Sequence, residues 1–73
     1  PKNIGGAVVT GSGVSLGASV ILNVQAAGSL TVNSGGLALT DASATLNNAN
    51  SVTVTGDLDN GGTISNSGTI TVQ

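Results

Sequence analysis

Phenylalanine, tyrosine, tryptophan, methionine and cysteine are all missing from this 73-residue chain. Without them no large side chain fills a compact core and no disulfide staples one, although small domains ordinarily lean on such devices. Histidine is absent as well, which with the lack of thiols removes the donors of transition-metal sites, and no cofactor is expected. Glutamate and arginine do not occur, and Lys2 is the only basic side chain. One cation cannot neutralise a row of phosphates, which argues against nucleic acid and anionic membrane surfaces as partners. The longest Val/Leu/Ile run is Val20-Ile21-Leu22, far short of a membrane span, so no membrane insertion is expected. No basic segment followed by an apolar stretch marks a signal peptide within these residues. A start at Pro1 rather than Met reads as a processed chain or a fragment. A Ser/Thr/Asn-rich surface of low charge points to a secreted, extracellular or cell-surface setting.

What is present is β-forming. Val, Leu and Ile together with nine threonines alternate with small polar residues, and the net charge is only −2. Disordered chains carry the opposite signature, few β-branched residues and high net charge. Helix is disfavoured by glycine and β-branched residues recurring every few positions. The aliphatic side chains alone fall short of the entropy of ordering a chain of this length, so it is expected to draw stability from neighbours.

One strand is written four times. Ser51-Val52-Thr53-Val54-Thr55 is matched 22 residues earlier by Ser29-Leu30-Thr31-Val32-Asn33 and 18 residues later by Thr69-Ile70-Thr71-Val72-Gln73. A looser copy, Ala7-Val8-Val9-Thr10, lies 22 residues before Ser29. Gly13-Val14-Ser15-Leu16 is likewise echoed by Gly36-Leu37-Ala38-Leu39, and Ala18–Asn23 by Ala42–Asn47. Such periods signal a stacked-repeat architecture. The reading is an all-β solenoid, a parallel β-helix with uncapped ends and three short strands per coil. A lead-in covers 1–6, coils cover 7–28, 29–50 and 51–68, and 69–73 begins a fourth. Within each strand, alternation sends one set of side chains inward. The expected interior rungs are Val8, Leu30, Val52 and Ile70; Leu16, Leu39 and Leu58; and Leu22, Leu46 and Ile64. The competing fold is an antiparallel sandwich of short strands, with hairpin turns such as Asn60-Gly61; coil-to-coil similarity has no role there.

Glycines 11, 17, 28, 56 and 68 are placed at corners, where they allow tight bends. Asn23 and Asn47 are placed at equivalent corners too, as turn residues or as members of a hydrogen-bonded amide ladder.

Chemistry-bearing residues are few. Asp57 and Asp59, two apart on a strand, would share a face at about 6.5–7 Å, near the spacing of paired glycosidase carboxylates. No basic or aromatic residue stands ready to bind a sugar, so the pair reads as solvated, flanking an inward Leu58. The segment from Asp57 to Gly61 only brushes against a calcium loop, since the closing glutamate is missing. Serines and threonines have no activating base, and Lys2 reads as a solvated terminal charge. The outward column Thr31, Thr53, Thr71, with Ser29, Ser51 and Thr69 beside it, resembles the ice-binding face of insect-type solenoid antifreeze proteins. The Thr-x-Thr pattern holds only at Thr53-Val54-Thr55 and Thr69-Ile70-Thr71, and the plain reading is β-propensity on a solvated face. No enzyme is expected.

The stretch Gly62-Thr63-Ile64-Ser65-Asn66-Ser67-Gly68-Thr69-Ile70-Thr71-Val72 resembles the Gly/Asn-punctuated repeats of bacterial secreted β-helix proteins. These are autotransporter passengers and filamentous-haemagglutinin-type adhesins. The resemblance extends from about Gly28 onward, and more loosely from Ala7. It implies an extracellular, surface-displayed, non-enzymatic solenoid of the kind that serves adhesion or a stalk, biofilm matrix included. A solenoid whose ends are unsealed exposes strand edges that can pair with another copy. The expected function is therefore a structural subunit of a self-assembling extracellular filament, a homopolymer joined head to tail through Val8, Val9, Ile70 and Val72. The alternative is a β-helical fragment of a longer secreted adhesin that binds a cell surface or glycan.

Overall fold

The computed structural model describes residues 1–73 and contains strands and turns but no helix. Eleven short strands follow in order: β1 (Lys2–Ile4), β2 (Ala7–Thr10), β3 (Val14–Leu16), β4 (Ile21–Val24), β5 (Ser29–Val32), β6 (Leu37–Leu39), β7 (Thr45–Asn48), β8 (Ser51–Val54), β9 (Leu58–Asn60), β10 (Thr63–Asn66) and β11 (Thr69–Val72). They stack into three sheets: face A is β1-β4-β7-β10, face B is β2-β5-β8-β11, and face C is β3-β6-β9. Every pairing is parallel. The chain is therefore a β-solenoid of about three turns. The antiparallel sandwich is ruled out.

The expected lead-in is more than a lead-in. Residues 2–4 form the lowest strand of face A, and Ile4 is buried beneath Val24.

Registers fix the interior rows. On face B, Val8, Leu30, Val52 and Ile70 lie one above another, as expected, and Thr10, Val32, Val54 and Val72 form a second inward row. On face A, Leu22, Leu46 and Ile64 align, as expected, with Lys2 below them. Face C departs from expectation. Leu58 stacks on Leu37 and Val14, while Asn60 continues the row of Leu16 and Leu39. The cause is the shorter third coil, whose C strand holds one aliphatic residue where the coils below hold two. The register places that residue in the first inward row.

A further row on face A runs Ile4, Val24, Asn48, Asn66, turning from apolar to polar as it rises. Asn48 is buried, at 2 % exposure. Its Nδ2 donates to Asn66 Oδ1 (2.9 Å) and to the Thr69 carbonyl (3.0 Å), and its Oδ1 accepts from the Asn50 amide (3.2 Å). No buried side-chain polar atom is left without a partner. Fully paired in this way, a polar side chain is tolerable inside an aliphatic column.

Corners absorb the difference in coil length. Between faces C and A they span 17–20, 40–44 and 61–62 in successive coils, while the flanking strands hardly change. At the corner between faces B and C, Gly36 sits at φ +77°, and a Cβ there would run into the Asp57 carbonyl of the coil above. Glycine is required at that position on both counts.

Candidate functional site: two open ends and an amide column

Burial along a single row falls away at both ends of these 73 residues. On face B, Val8 is 42 % exposed, Leu30 3 % and Val52 0 %, and Ile70 above them is again only partly buried. In the neighbouring row Val54 is fully covered and Val72 is 51 % exposed. Val14, Leu58, Ile64 and Ile70, the row-end aliphatics, all pack on the core without being enclosed by it. Within these 73 residues, β1, β2 and β3 have no strand below them, and β9, β10 and β11 none above. Their outer backbone N–H and C=O groups thus point along the axis, ready to pair.

The four residues expected at an assembly interface all lie on the edge strands of face B: Val8 and Val9 on β2, Ile70 and Val72 on β11. They do not share an orientation. Val9 is in register with Thr31, Thr53 and Thr71 on the outer surface and is 64 % exposed, because adjacent residues of a strand point to opposite sides. Thr10, not Val9, completes the inward pair at the lower edge.

Asn23 and Asn47 are not corner residues. They sit within β4 and β7, on the outer side of face A, in one column with Asn3 below and Ser65 above. Asn47 Nδ2 donates to Asn23 Oδ1 (2.9 Å), and Asn23 Nδ2 donates to Asn3 Oδ1 (3.0 Å). The ladder is therefore formed, and all its donors face the same way, toward the lower end. Asparagine is a poor strand former. Here the inter-coil amide bonds and the strand spacing compensate.

Asp59 points outward on β9, in the column of Ser15 and Ala38. Asp57 precedes the strand, at the corner, and its carbonyl accepts the Leu37 amide at 2.9 Å. Together they line a shallow depression of about 320 Å³ with Gly35, Leu37, Ala38 and Gly56. That lining places no cation and no aromatic ring beside the carboxylates. The acidic residues nowhere gather as three around a common point. Asp41 is engaged in a corner: its Oδ2 accepts from the Ser43 hydroxyl and from the Ser43 amide (2.9 Å). The hydroxyl first and the amide second hold its pKa below the ordinary 3.8. Ser43 Oγ in turn accepts from the amide of Ser19 one coil below (2.8 Å), where Ser19 takes φ +62°.

The Thr31–Thr53–Thr71 column is present on the outer side of face B, flanked by Ser29, Ser51 and Thr69. It is interrupted at its lower end by Val9 and Ala7.

Sequence reasoning missed Asn48 as an interior residue and Asn3 as the base of the amide column. The signal for the first was a shared offset of 18: Asn48 to Asn66 repeats the step from Thr45 to Thr63 and from Ser51 to Thr69. The chain matches no protein-family model, no curated protein and no solved structure.

Proposed function

We propose that this chain is a structural subunit of an extracellular filament that assembles by stacking head to tail through its open solenoid ends. The observation that supports this most directly is the loss of burial at both ends of rows whose middle members are completely enclosed. Continuing the registers upward sets β2 of the next copy on β11 and β1 of the next copy on β10. Val8 of the next copy then caps Ile70, Thr10 caps Val72, and Ile4 caps Asn66. A heterologous contact of this kind repeats without closing and generates a fibre. Face C has three strands where faces A and B have four, so each junction is left one strand short on that side.

The experiment is electron microscopy and fibre diffraction on the purified chain at high concentration. The expected result is unbranched fibres with a meridional spacing of about 4.8 Å, the separation of stacked strands. Soluble monomers with no fibre at any concentration would falsify the proposal.

The second reading is a segment of a longer secreted adhesin. The same open rows are what further coils of one polypeptide would cover. It predicts that the chain extended by its natural flanking coils is monomeric while the isolated 73 residues aggregate.

A further inference from the structure

The amide column on face A has a direction, and that direction bears on how two copies can meet. Asn47 donates downward to Asn23, and Asn23, accepting through Oδ1, donates downward in turn through Nδ2 to Asn3. Asn3 accepts from Asn23, so its own Nδ2 is turned to the lower end, where none of these 73 residues lies in register beneath it. At the opposite end the same column finishes in Ser65, in register with Asn47. Serine supplies a hydroxyl that can accept a hydrogen bond.

Resting on the filament reading above, we propose that Asn3 and Ser65 form the contact that sets polarity and register at the junction between copies. Stacked head to tail in the continuing register, Asn3 of the upper copy stands over Ser65 of the lower one, donor over acceptor. Two lower ends brought together present the Asn3 donors to one another with no acceptor between them, and two upper ends can pair hydroxyl to hydroxyl but leave both Asn3 donors unused. A shift of one residue along the strand moves Asn3 off the column and turns every inward side chain outward. The parallel pairing of all strands within the chain favours the same arrangement, since only head-to-tail stacking keeps it across the junction. The partner this surface fits is a second copy of the chain, in one orientation.

Two substitutions isolate the contact. Ser65→Ala removes the hydroxyl at the top of the column and leaves the amide ladder from Asn47 through Asn23 to Asn3 intact. Ser65→Asn puts an amide where the column now ends and makes it continuous through the junction. Seeded elongation of preformed fibres, each variant on its own seeds, is followed by light scattering at pH 7. Ser65→Ala is expected to elongate about tenfold more slowly than wild type, the equivalent of one net hydrogen bond. Ser65→Asn is expected to elongate a few-fold faster than wild type. Circular dichroism of each unseeded monomer separates a folding defect from a junction defect. Wild-type chain that stays monomeric overturns both the filament and this contact. Wild-type fibres accompanied by Ser65→Ala fibres that elongate at the wild-type rate overturn the contact alone.

Discussion

Lys2 and Ile4 occupy the same side of β1, yet Ile4 is buried beneath Val24 while Lys2, in register with Leu22, is exposed at the lower edge. A charge thus stands at the end of an otherwise aliphatic row. Inward-pointing charges at a sheet edge oppose further strand addition. In the proposed stack the ammonium meets Ile64 of the copy below and must bend out to water. Lys2→Ile is expected to lower the concentration needed for fibre formation by about tenfold or more, given ~1.5–3 kcal/mol for burying an aliphatic side chain. Sedimentation at graded concentrations measures it, and an unchanged threshold would show that this row does not continue between copies.

Leu46 is wholly enclosed at the centre of its row, whereas Thr53 lies in the outer column. Leu46→Asp is expected to prevent folding, and Leu46→Ala to cost about 2–5 kcal/mol. Thr53→Ser is expected to change stability by less than about 0.5 kcal/mol. Urea titrations followed by circular dichroism compare the three.

Asn48 satisfies two partners through one Nδ2 inside the solenoid. Asn48→Ala leaves Asn66 Oδ1 and the Thr69 carbonyl short of a donor, for an expected loss of about 1–3 kcal/mol. Asn48→Asp is expected to be worse at neutral pH, because a carboxylate then faces those same two oxygens, and to improve on acidification. A pair of denaturant curves at pH 7 and pH 3.5 gives the sign.

Asp41 has a depressed pKa, caused first by the Ser43 hydroxyl and then by the Ser43 amide. A group whose pKa is lower in the folded state adds stability above its unfolded value and loses it as pH falls through the folded one. The contribution is therefore expected to be present at neutral pH and to fade as the pH falls from about 4 through the lower folded-state value. Melting temperatures of wild type and Asp41→Asn, measured from pH 7 down to pH 2, are expected to differ at neutral pH and converge in acid.

Gly36→Ala is expected to destabilise by about 1–3 kcal/mol or more, from the positive φ together with the approach of the Asp57 carbonyl. Gly17→Ala is the comparison, since nothing lies near a Cβ there and its φ is not positive. Thermal melts of the two should separate clearly.

Much of this arrangement was legible in the residues, and the failures have specific causes. The steps of 22, 22 and 18 between copies of the face B strand are the steps of the parallel register, because a strand that must stack on itself repeats its alternation. Leu58 has two aliphatic residues on β6 as possible partners, and the sequence alone does not choose Leu37 over Leu39. Asn23 and Asn47 look like corner residues by type, since the bonds that keep them in strands join residues 20 and 24 apart. Val9 resembles Val8 in composition, although strand alternation already separates the two. Asp57 and Asp59, read as a solvated pair, lie at the surface as that reading requires.

The unequal bends between faces C and A carry a consequence for how such a chain can change. Five residues, 40–44, turn the bend that 61–62 turn with two, and Leu37, Leu39, Thr45 and Leu46 still meet their neighbours in the next storey. Differences in length are taken up within that bend without altering the register of the strands on either side. A gene for this kind of molecule can therefore lengthen, shorten or decorate one edge of its product while the wall on either side stays as it was.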